Sequence, residues 1–121
     1  MALHHANPSE IVDLSPLGKE LENTKSVALI KTDQFEAIRL VVQKGAEIPP
    51  HDVPGRITLH CLEGQLELVL AKSSVKLAAG EWIFLEGGQS HSVRGIVNAS
   101  LLLTIHFDST ASVHYWDTDI R

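Results

Sequence analysis

The stretch Ile57-Thr-Leu-His-Cys-Leu-Glu-Gly-Gln-Leu-Glu-Leu-Val-Leu70 contains two short apolar runs, at positions 57–62 and 66–70, with a turn between them. In the second run, leucines at positions 66, 68 and 70 alternate with Gln65, Glu67 and Val69. A period of two residues sends successive side chains to opposite faces of a strand. Gly64, between the two runs, is typical of a tight turn. The stretch therefore predicts two consecutive β-strands, with one face of the second strand in the core.

Similar apolar runs continue in both directions along the chain. They cover Val27–Ile30, Phe35–Val42, Val75–Leu77, Trp82–Leu85 and Leu101–Phe107. Short runs with turn residues at intervals of roughly eight to twelve residues are typical of a β-sandwich or β-barrel. A helix remains an alternative for 35–42, where Glu36 and Arg39 fall at helical spacing. The pattern as a whole predicts an all-β fold.

Length and composition indicate one soluble domain. The chain has 121 residues, of which 44% are hydrophobic and 21% are charged, which is ordinary for a globular protein. The net charge is -5, and the basic residues are scattered, which argues against a nucleic-acid partner. Pro16 and Gly18 interrupt the early sequence. We expect an N-terminal arm at residues 1–24 and one β-barrel domain at residues 25–121.

The sequence contains no sign of export or membrane insertion. Cys61 is the single cysteine, so an internal disulfide is excluded. No stretch approaches the roughly 20 apolar residues that span a bilayer. The first residues, Met1-Ala-Leu-His-His5, lack the basic and apolar blocks of a signal peptide. We therefore expect a cytoplasmic protein with no membrane partner.

Three histidines lie near turns or strand ends of the predicted barrel. His51 follows Pro49 and Pro50, and His91 comes shortly after a pair of glycines, so each is expected where a turn meets a strand. His60 lies within an apolar run. Imidazole is both the commonest side-chain metal ligand and the usual acid or base near neutral pH. The histidines are therefore the first candidates for a functional site.

Two segments around these histidines resemble the motifs of the cupin superfamily. Gly45-Ala-Glu-Ile-Pro-Pro-His51, followed by Leu62-Glu-Gly64, resembles the first motif. Gly80-Glu-Trp-Ile-Phe-Leu-Glu-Gly-Gly-Gln-Ser-His91 resembles the second. The likeness is to small single-domain, RmlC-like cupins. It implies a double-stranded β-helix, or jelly roll, with a pocket between two sheets, and it also implies a homodimer.

The motifs are degenerate at the positions where cupins hold a metal. Metal-binding cupins generally use three histidines and one glutamate. The resemblance assigns the first ligand position to His51 and the last to His91, but the second falls on Val53 and the glutamate falls on Ile57. A divalent Fe, Mn, Ni or Zn ion needs at least three protein donors for a defined site. His51 and His91 are therefore candidate metal ligands, and His106 is a speculative third.

The same positions predict the wall of a pocket. If Ile57 faces the interior, then Leu59 and Cys61 do so too, while His60 points away. Together with Val53 these residues would form a mostly apolar wall. His51 and His91 would orient a ligand within it.

Two functions remain open at this point. One is a module that binds a small molecule without metal. The other is a metal-dependent enzyme of the oxygenase or isomerase type.

Overall fold

A computed structural model describes residues 5–51, 55–88 and 90–107 of the chain. The described residues form a short 3₁₀ helix at Gly18–Asn23 and nine β-strands. The strands are β1 (Val27–Lys31), β2 (Phe35–Val42), β3 (Glu47–His51), β4 (Arg56–Glu63), β5 (Gln65–Leu70), β6 (Ser74–Ala78), β7 (Trp82–Leu85), β8 (His91–Gly95) and β9 (Ala99–His106).

The strands form two sheets. The five-stranded sheet has the order β1-β2-β9-β4-β7, and the four-stranded sheet has the order β3-β8-β5-β6. Every pairing between neighbouring strands is antiparallel. Most neighbours within a sheet are distant in sequence, as in a jelly roll. The predicted all-β jelly-roll fold is confirmed.

The hydrophobic core is made from alternating positions of facing strands. In β4 the buried residues are Ile57, Leu59 and Cys61, and in β5 they are Leu66 and Leu68. This is the period of two expected for strands that bury one face. The buried leucines of β5 agree with the prediction from the sequence.

Gly64 marks a corner where the chain changes sheets. The predicted tight turn joins β4, which lies in the five-stranded sheet, to β5, which lies in the four-stranded one. Gly64 has φ +80°, and a Cβ atom there would lie 2.1 Å from the carbonyl oxygen of Asn98. Both its positive φ and this close approach require glycine.

The helical alternative for residues 35–42 is wrong. This segment is strand β2, and it pairs with β9 in an unbroken register from Phe35 opposite His106 to Val42 opposite Ala99. Ile38 and Leu40 pack against the core, and Val42 belongs to it. Burial on alternate positions therefore overrides the helical spacing of Glu36 and Arg39.

The strands β3 and β8 were not among the apolar runs that the sequence analysis identified as strands. β8 begins at His91, as the turn before it indicated, but His51 ends its strand, β3, rather than beginning one. Pro49 and Pro50 therefore lie within β3. This strand lies at the edge of its sheet, where proline is tolerated because an edge residue needs no second hydrogen-bonded neighbour.

The N-terminal residues lie against the outer side of the five-stranded sheet. The Ala6 amide donates a hydrogen bond to the Leu29 carbonyl in β1 at 2.7 Å. The Arg39 guanidinium in β2 donates to the Ser15 carbonyl at 2.8 Å. Leu21, in the 3₁₀ helix, is buried. Among the described residues, no helix is long and apolar enough to cross a membrane.

Candidate functional site

His51 and His91 meet at one end of the molecule. β3 ends at His51 and β8 begins at His91, and the two residues are direct partners in the antiparallel β3–β8 ladder. At the same end, Ile57 of β4 pairs with Leu85 of β7. We call this the histidine end. The opposite end, which contains Glu63, Gly64 and Gly95, is the Glu63 end.

The His91 side chain lies on the inner face of its sheet. Residue 91 is 3% exposed, and in β8 it alternates in phase with Val93, which belongs to the core. On the other side of β8, His91 pairs with Leu70. An imidazole held at the end of an apolar interior can donate or accept a hydrogen bond there, or ligate a metal.

The three described residues of the predicted pocket wall lie on the inner face of β4. Ile57, Leu59 and Cys61 are buried members of the hydrophobic core. Ile57 lies at the histidine end, but Cys61 is four residues further along the strand, about 13 Å away at the rise of a strand. Val53 lies outside the described residues. The structure therefore brings Ile57 to the end where His91 lies and leaves Cys61 at the Glu63 end.

Cys61 is protected from reaction by its surroundings. Its thiol donates a hydrogen bond to the Glu63 carbonyl at 3.5 Å. Burial raises the pKa of the Cys61 thiol above its ordinary value, and the hydrogen bond opposes this rise only in part. A thiol that stays protonated is a poor nucleophile. Cys61 is therefore a small buried apolar residue.

His106 does not lie on the inner face. In β9 the core residues are Leu101 and Leu103, so His106 shares the outer face with Thr104. It is exposed, and its ring lies 6.4 Å from that of Phe35. The hypothesis that His106 completes a trio with His51 and His91 is wrong, because strand alternation turns it to the other side of the sheet.

The outer face of the same sheet also holds His60. It pairs with Leu102 of β9 and Trp82 of β7, and it alternates with the buried Leu59 and Cys61. This is the side that the sequence predicted for it.

The residues present do not fit the metal centre that the resemblance implies. Within the described ranges, no three His, Cys, Asp or Glu side chains are grouped so that they could hold a metal ion. The glutamate position of the motif is Ile57, whose hydrocarbon side chain is buried in the core. At this position of the motif a divalent ion would therefore find a hydrocarbon in place of the carboxylate that normally balances its charge.

A polar cluster that the sequence did not reveal lies at the Glu63 end. The Glu63 carboxylate accepts hydrogen bonds from the Leu17 amide at 2.8 Å, the Gly18 amide at 3.1 Å and the Ser100 hydroxyl at 2.7 Å. Arg39 lies 3.4 Å from the same carboxylate. The Arg39 Nε atom is buried and has no hydrogen-bond partner among the described residues. The cluster fixes the N-terminal arm to the sheet.

A β-bulge explains why Glu63 reaches the outer face. Cys61 pairs with Leu101, whereas Glu63 pairs with Ser100, so the register shifts by one residue between them. Strict alternation would have placed Glu63 beside Cys61 in the core, and the bulge turns it outward instead. Partial burial raises the pKa of Glu63. This rise is outweighed by the hydrogen bonds from Leu17, Ser100 and Gly18 and by the charge of Arg39, so the net shift of the pKa is downward.

Two antiparallel sheets with a histidine pair at one end define a small jelly-roll domain. The family model described as the cupin domain matches residues 38–106, more than half of the chain. The chain therefore belongs to the cupin family, as its motifs indicated. No curated protein sequence matches the chain significantly.

Solved structures share this fold. A conserved protein of unknown function from Streptococcus pyogenes is similar with a TM-score of 0.72 and 21% identity, over 91% of this chain and 100% of that one. A cupin superfamily protein from Desulfitobacterium hafniense has a TM-score of 0.69 and 14% identity, over 81% and 95%. An RmlC-like cupin from Desulfovibrio desulfuricans has a TM-score of 0.66 and 19% identity, over 80% and 97%. At these identities the likeness concerns the fold alone.

Proposed function

We propose that this cupin binds a small, partly apolar molecule at the histidine end, and that His51 and His91 orient it without a metal. The observation that supports the proposal most directly is the pairing of His51 with the buried His91 in the β3–β8 ladder. Directly paired residues in an antiparallel ladder share a face of the sheet. The proposal therefore places one ligand beside both positions of the ladder.

The surroundings of His91 favour a ligand with an apolar part. Ile57 and Leu85 are buried at the same end of the interior, and Val53 is expected to extend this wall. Ligand sites are usually apolar with a few polar groups that set orientation. A neutral imidazole both donates and accepts a hydrogen bond, so a hydroxyl, carbonyl or carboxyl group would suit it.

The metal-dependent alternative is an oxygenase or isomerase in which His51 and His91 ligate Fe, Mn, Ni or Zn. The hydrocarbon side chain of Ile57 weighs against it. Elemental analysis of untagged protein, purified without added metal or chelator, separates the two functions. We expect far less than one equivalent of transition metal per chain, before and after incubation with each of these ions. Near one equivalent that disappears in His51→Ala would make the enzyme the better description.

Ligand binding is tested by thermal shift against a library of small carbonyl, hydroxy and carboxylic compounds. We expect hits that stabilise the wild type to lose their effect in His51→Ala, His91→Ala and the pocket-filling variant Val53→Phe. His60→Ala is the matched control, because it removes an imidazole from the outer face, and it should respond like the wild type. Hits that stabilise both His51→Ala and His91→Ala as much as the wild type would move the site elsewhere.

The homodimer and the cytoplasmic location belong to the same proposal. Trp82 and Phe84 are exposed on the outer face of β7, an edge strand of the five-stranded sheet. Exposed apolar surface on an unprotected edge favours association. Light scattering should therefore give twice the 13.2 kDa chain mass, and a monomer at micromolar concentration would contradict the dimer.

Cys61, a free buried cysteine, is compatible with a reducing compartment.

A further inference from the structure

A second concave site lies near the Glu63 end, away from the histidines. It is a cleft of about 330 Å³ lined by Lys44, Gly45, Arg94, Gly95 and Ile96. His91 and Gly95 are at opposite ends of β8, which separates them by about 13 Å at the rise of a strand. The cleft is therefore distinct from the site proposed for His51 and His91.

Backbone contacts hold the walls of this cleft in place. Lys44 and Gly95 form a parallel bridge. The Gly45 amide donates a hydrogen bond to the Gly95 carbonyl at 2.9 Å, and the Gly95 amide donates to the Ala46 carbonyl at 3.0 Å. The Lys44 amide donates to the Asn98 side-chain oxygen at 2.7 Å. The segments before β3 and after β8 thus form one joined wall, which needs little rearrangement to receive a ligand.

Both charged residues of the cleft lining are cations. Arg94 forms an ion pair with Glu67, whose side chain is 16% exposed against 52% for Arg94. Glu67 is thus the more buried partner, and it holds the guanidinium while leaving much of it in contact with solvent. Only the Nη2 atom of Arg94 contacts Glu67, and a guanidinium carries five N–H groups in one plane. Further donors therefore remain for a bound anion.

Lys44 adds a second positive charge. It is exposed, and its ammonium group has no ion-pair partner in the part of the chain that the structure describes. Ile96 also lines the cleft and supplies an apolar surface there. A molecule that carries an oxyanion at one end and a hydrocarbon group at the other is complementary to this lining. Its oxyanion would lie between the two cations, and its hydrocarbon group would contact the isoleucine.

We propose that this cleft binds a small organic anion, with its carboxylate or phosphate group between Lys44 and Arg94 and its apolar part against Ile96. Glu67 already neutralises part of the Arg94 charge, and Glu47 lies opposite Arg94 in the β3–β8 ladder. The chain as a whole carries a net charge of -5. The binding is therefore weak, with a dissociation constant on the order of millimolar, because exposed ion pairs contribute little each.

Titrations of the 121-residue chain, followed by ¹H–¹⁵N NMR, test the proposal with three probes. Benzoate carries a carboxylate and an apolar ring, inorganic phosphate carries charge without a ring, and benzyl alcohol carries a ring without charge. We expect benzoate to shift the Gly45, Gly95 and Ile96 amide signals saturably. Phosphate should bind several-fold more weakly, and benzyl alcohol should leave these signals unchanged. Raising NaCl to 0.5 M should weaken benzoate binding, since it screens exposed charges.

Lys44→Gln is the decisive variant, because it removes one charge without unpairing a buried group. It should raise the benzoate dissociation constant by about two- to fivefold. Lys31→Gln is the matched control, since Lys31 is an exposed lysine at the end of β1 in the other sheet, outside the cleft, and it should leave the constant unchanged. Arg94→Gln should weaken binding further, although it also unpairs Glu67.

Four results would overturn the proposal. Equal binding of benzyl alcohol and benzoate would mean that charge is not recognised. Equal binding of phosphate and benzoate would mean that the apolar part is not recognised. An unchanged constant in Lys44→Gln would remove Lys44 from the site. Shifts confined to His91 and its neighbours would assign the anion to the histidine end, and would leave the function proposed there intact.

Discussion

Two of the arginine–glutamate pairs in the described part of the chain have almost the same separation between nitrogen and oxygen but lie in different surroundings. Arg39 and Glu63 are 3.4 Å apart, and Arg56 and Glu86 are 3.5 Å apart. The first pair has side chains that are 7% and 13% exposed, whereas those of the second are 66% and 69% exposed. The difference lies in their surroundings, because the carboxylate of Glu63 also accepts hydrogen bonds from Leu17, Gly18 and Ser100.

The comparison shows that distance alone does not decide what an ion pair contributes. Water and salt screen an exposed pair, and fixing two long side chains costs entropy, so its net contribution is small. In a buried pair, removal of one partner leaves a charge that neither water nor protein compensates. The Arg39–Glu63 pair should therefore fix the N-terminal arm to the sheet. The Arg56–Glu86 pair joins the start of β4 to the connection after β7, both at the histidine end, and it should contribute little to stability.

Glu63→Gln should produce the largest effect. Glutamine keeps the shape of the side chain but removes the charge beside Arg39, and its amide nitrogen cannot accept the hydrogen bonds of the arm. We expect the free energy of unfolding to fall by about 2–3 kcal/mol, somewhat below the range for a fully buried pair. Chemical denaturation measures this loss, and hydrogen exchange should be faster at the Leu17 and Gly18 amides.

Glu86→Gln is the matched control, because it makes the same chemical change in the exposed pair. It should change the free energy of unfolding by less than about 0.5 kcal/mol. Equal losses in the two variants would contradict the comparison. So would a Glu63→Gln protein whose Leu17 and Gly18 amides exchange as slowly as in the wild type.

The pH dependence of stability should report on the carboxylate of the buried pair. The folded protein holds the pKa of Glu63 below its ordinary value of 4.5, so the folded state favours the ionised carboxylate. This contribution is fully present above the unfolded pKa and is lost as the pH falls through the folded pKa. Wild type and Glu63→Gln should therefore approach each other in stability as the pH is lowered from 7 to 3. A difference that stays constant over this range would show that the charge of Glu63 is not what stabilises the arm.

The sequence predicted the fold well where strands keep their alternation. The apolar positions of β4 and β5 were correctly placed on buried faces, and the motifs around His51 and His91 indicated the right family. β3 was missed because Pro49 and Pro50 indicated a turn. Proline excludes a residue from the centre of a sheet, but it does not exclude an edge strand. Only the pairing of strands distant in sequence reveals which strand is the edge.

The site was harder to predict because side-chain direction depends on features that a sequence does not display. His106 was a possible ligand because its strand could line the interior. The alternation of the apolar Leu103 and Ile105 with the polar Thr104 and His106 was the available signal that His106 faces outward. Glu63 had no such signal, since a one-residue bulge reverses the face that alternation assigns to it. The cluster around Glu63 could therefore be found only from the structure.

Arg56→Ala should have the smallest effect and tests the exposed pair from the arginine side. Arg56 is the first residue of β4, and its side chain and that of Glu86 are mostly in water. We expect the free energy of unfolding to change by less than about 0.5 kcal/mol at low salt, and by less still at 0.5 M NaCl, because the salt already screens the pair. Thermal and chemical denaturation at the two salt concentrations measure both changes. If the free energy of unfolding instead falls by more than about 1 kcal/mol and the loss persists at high salt, Arg56 supports the histidine end through contacts other than its ion pair with Glu86. The two pairs would then not differ in the way that their exposure indicates.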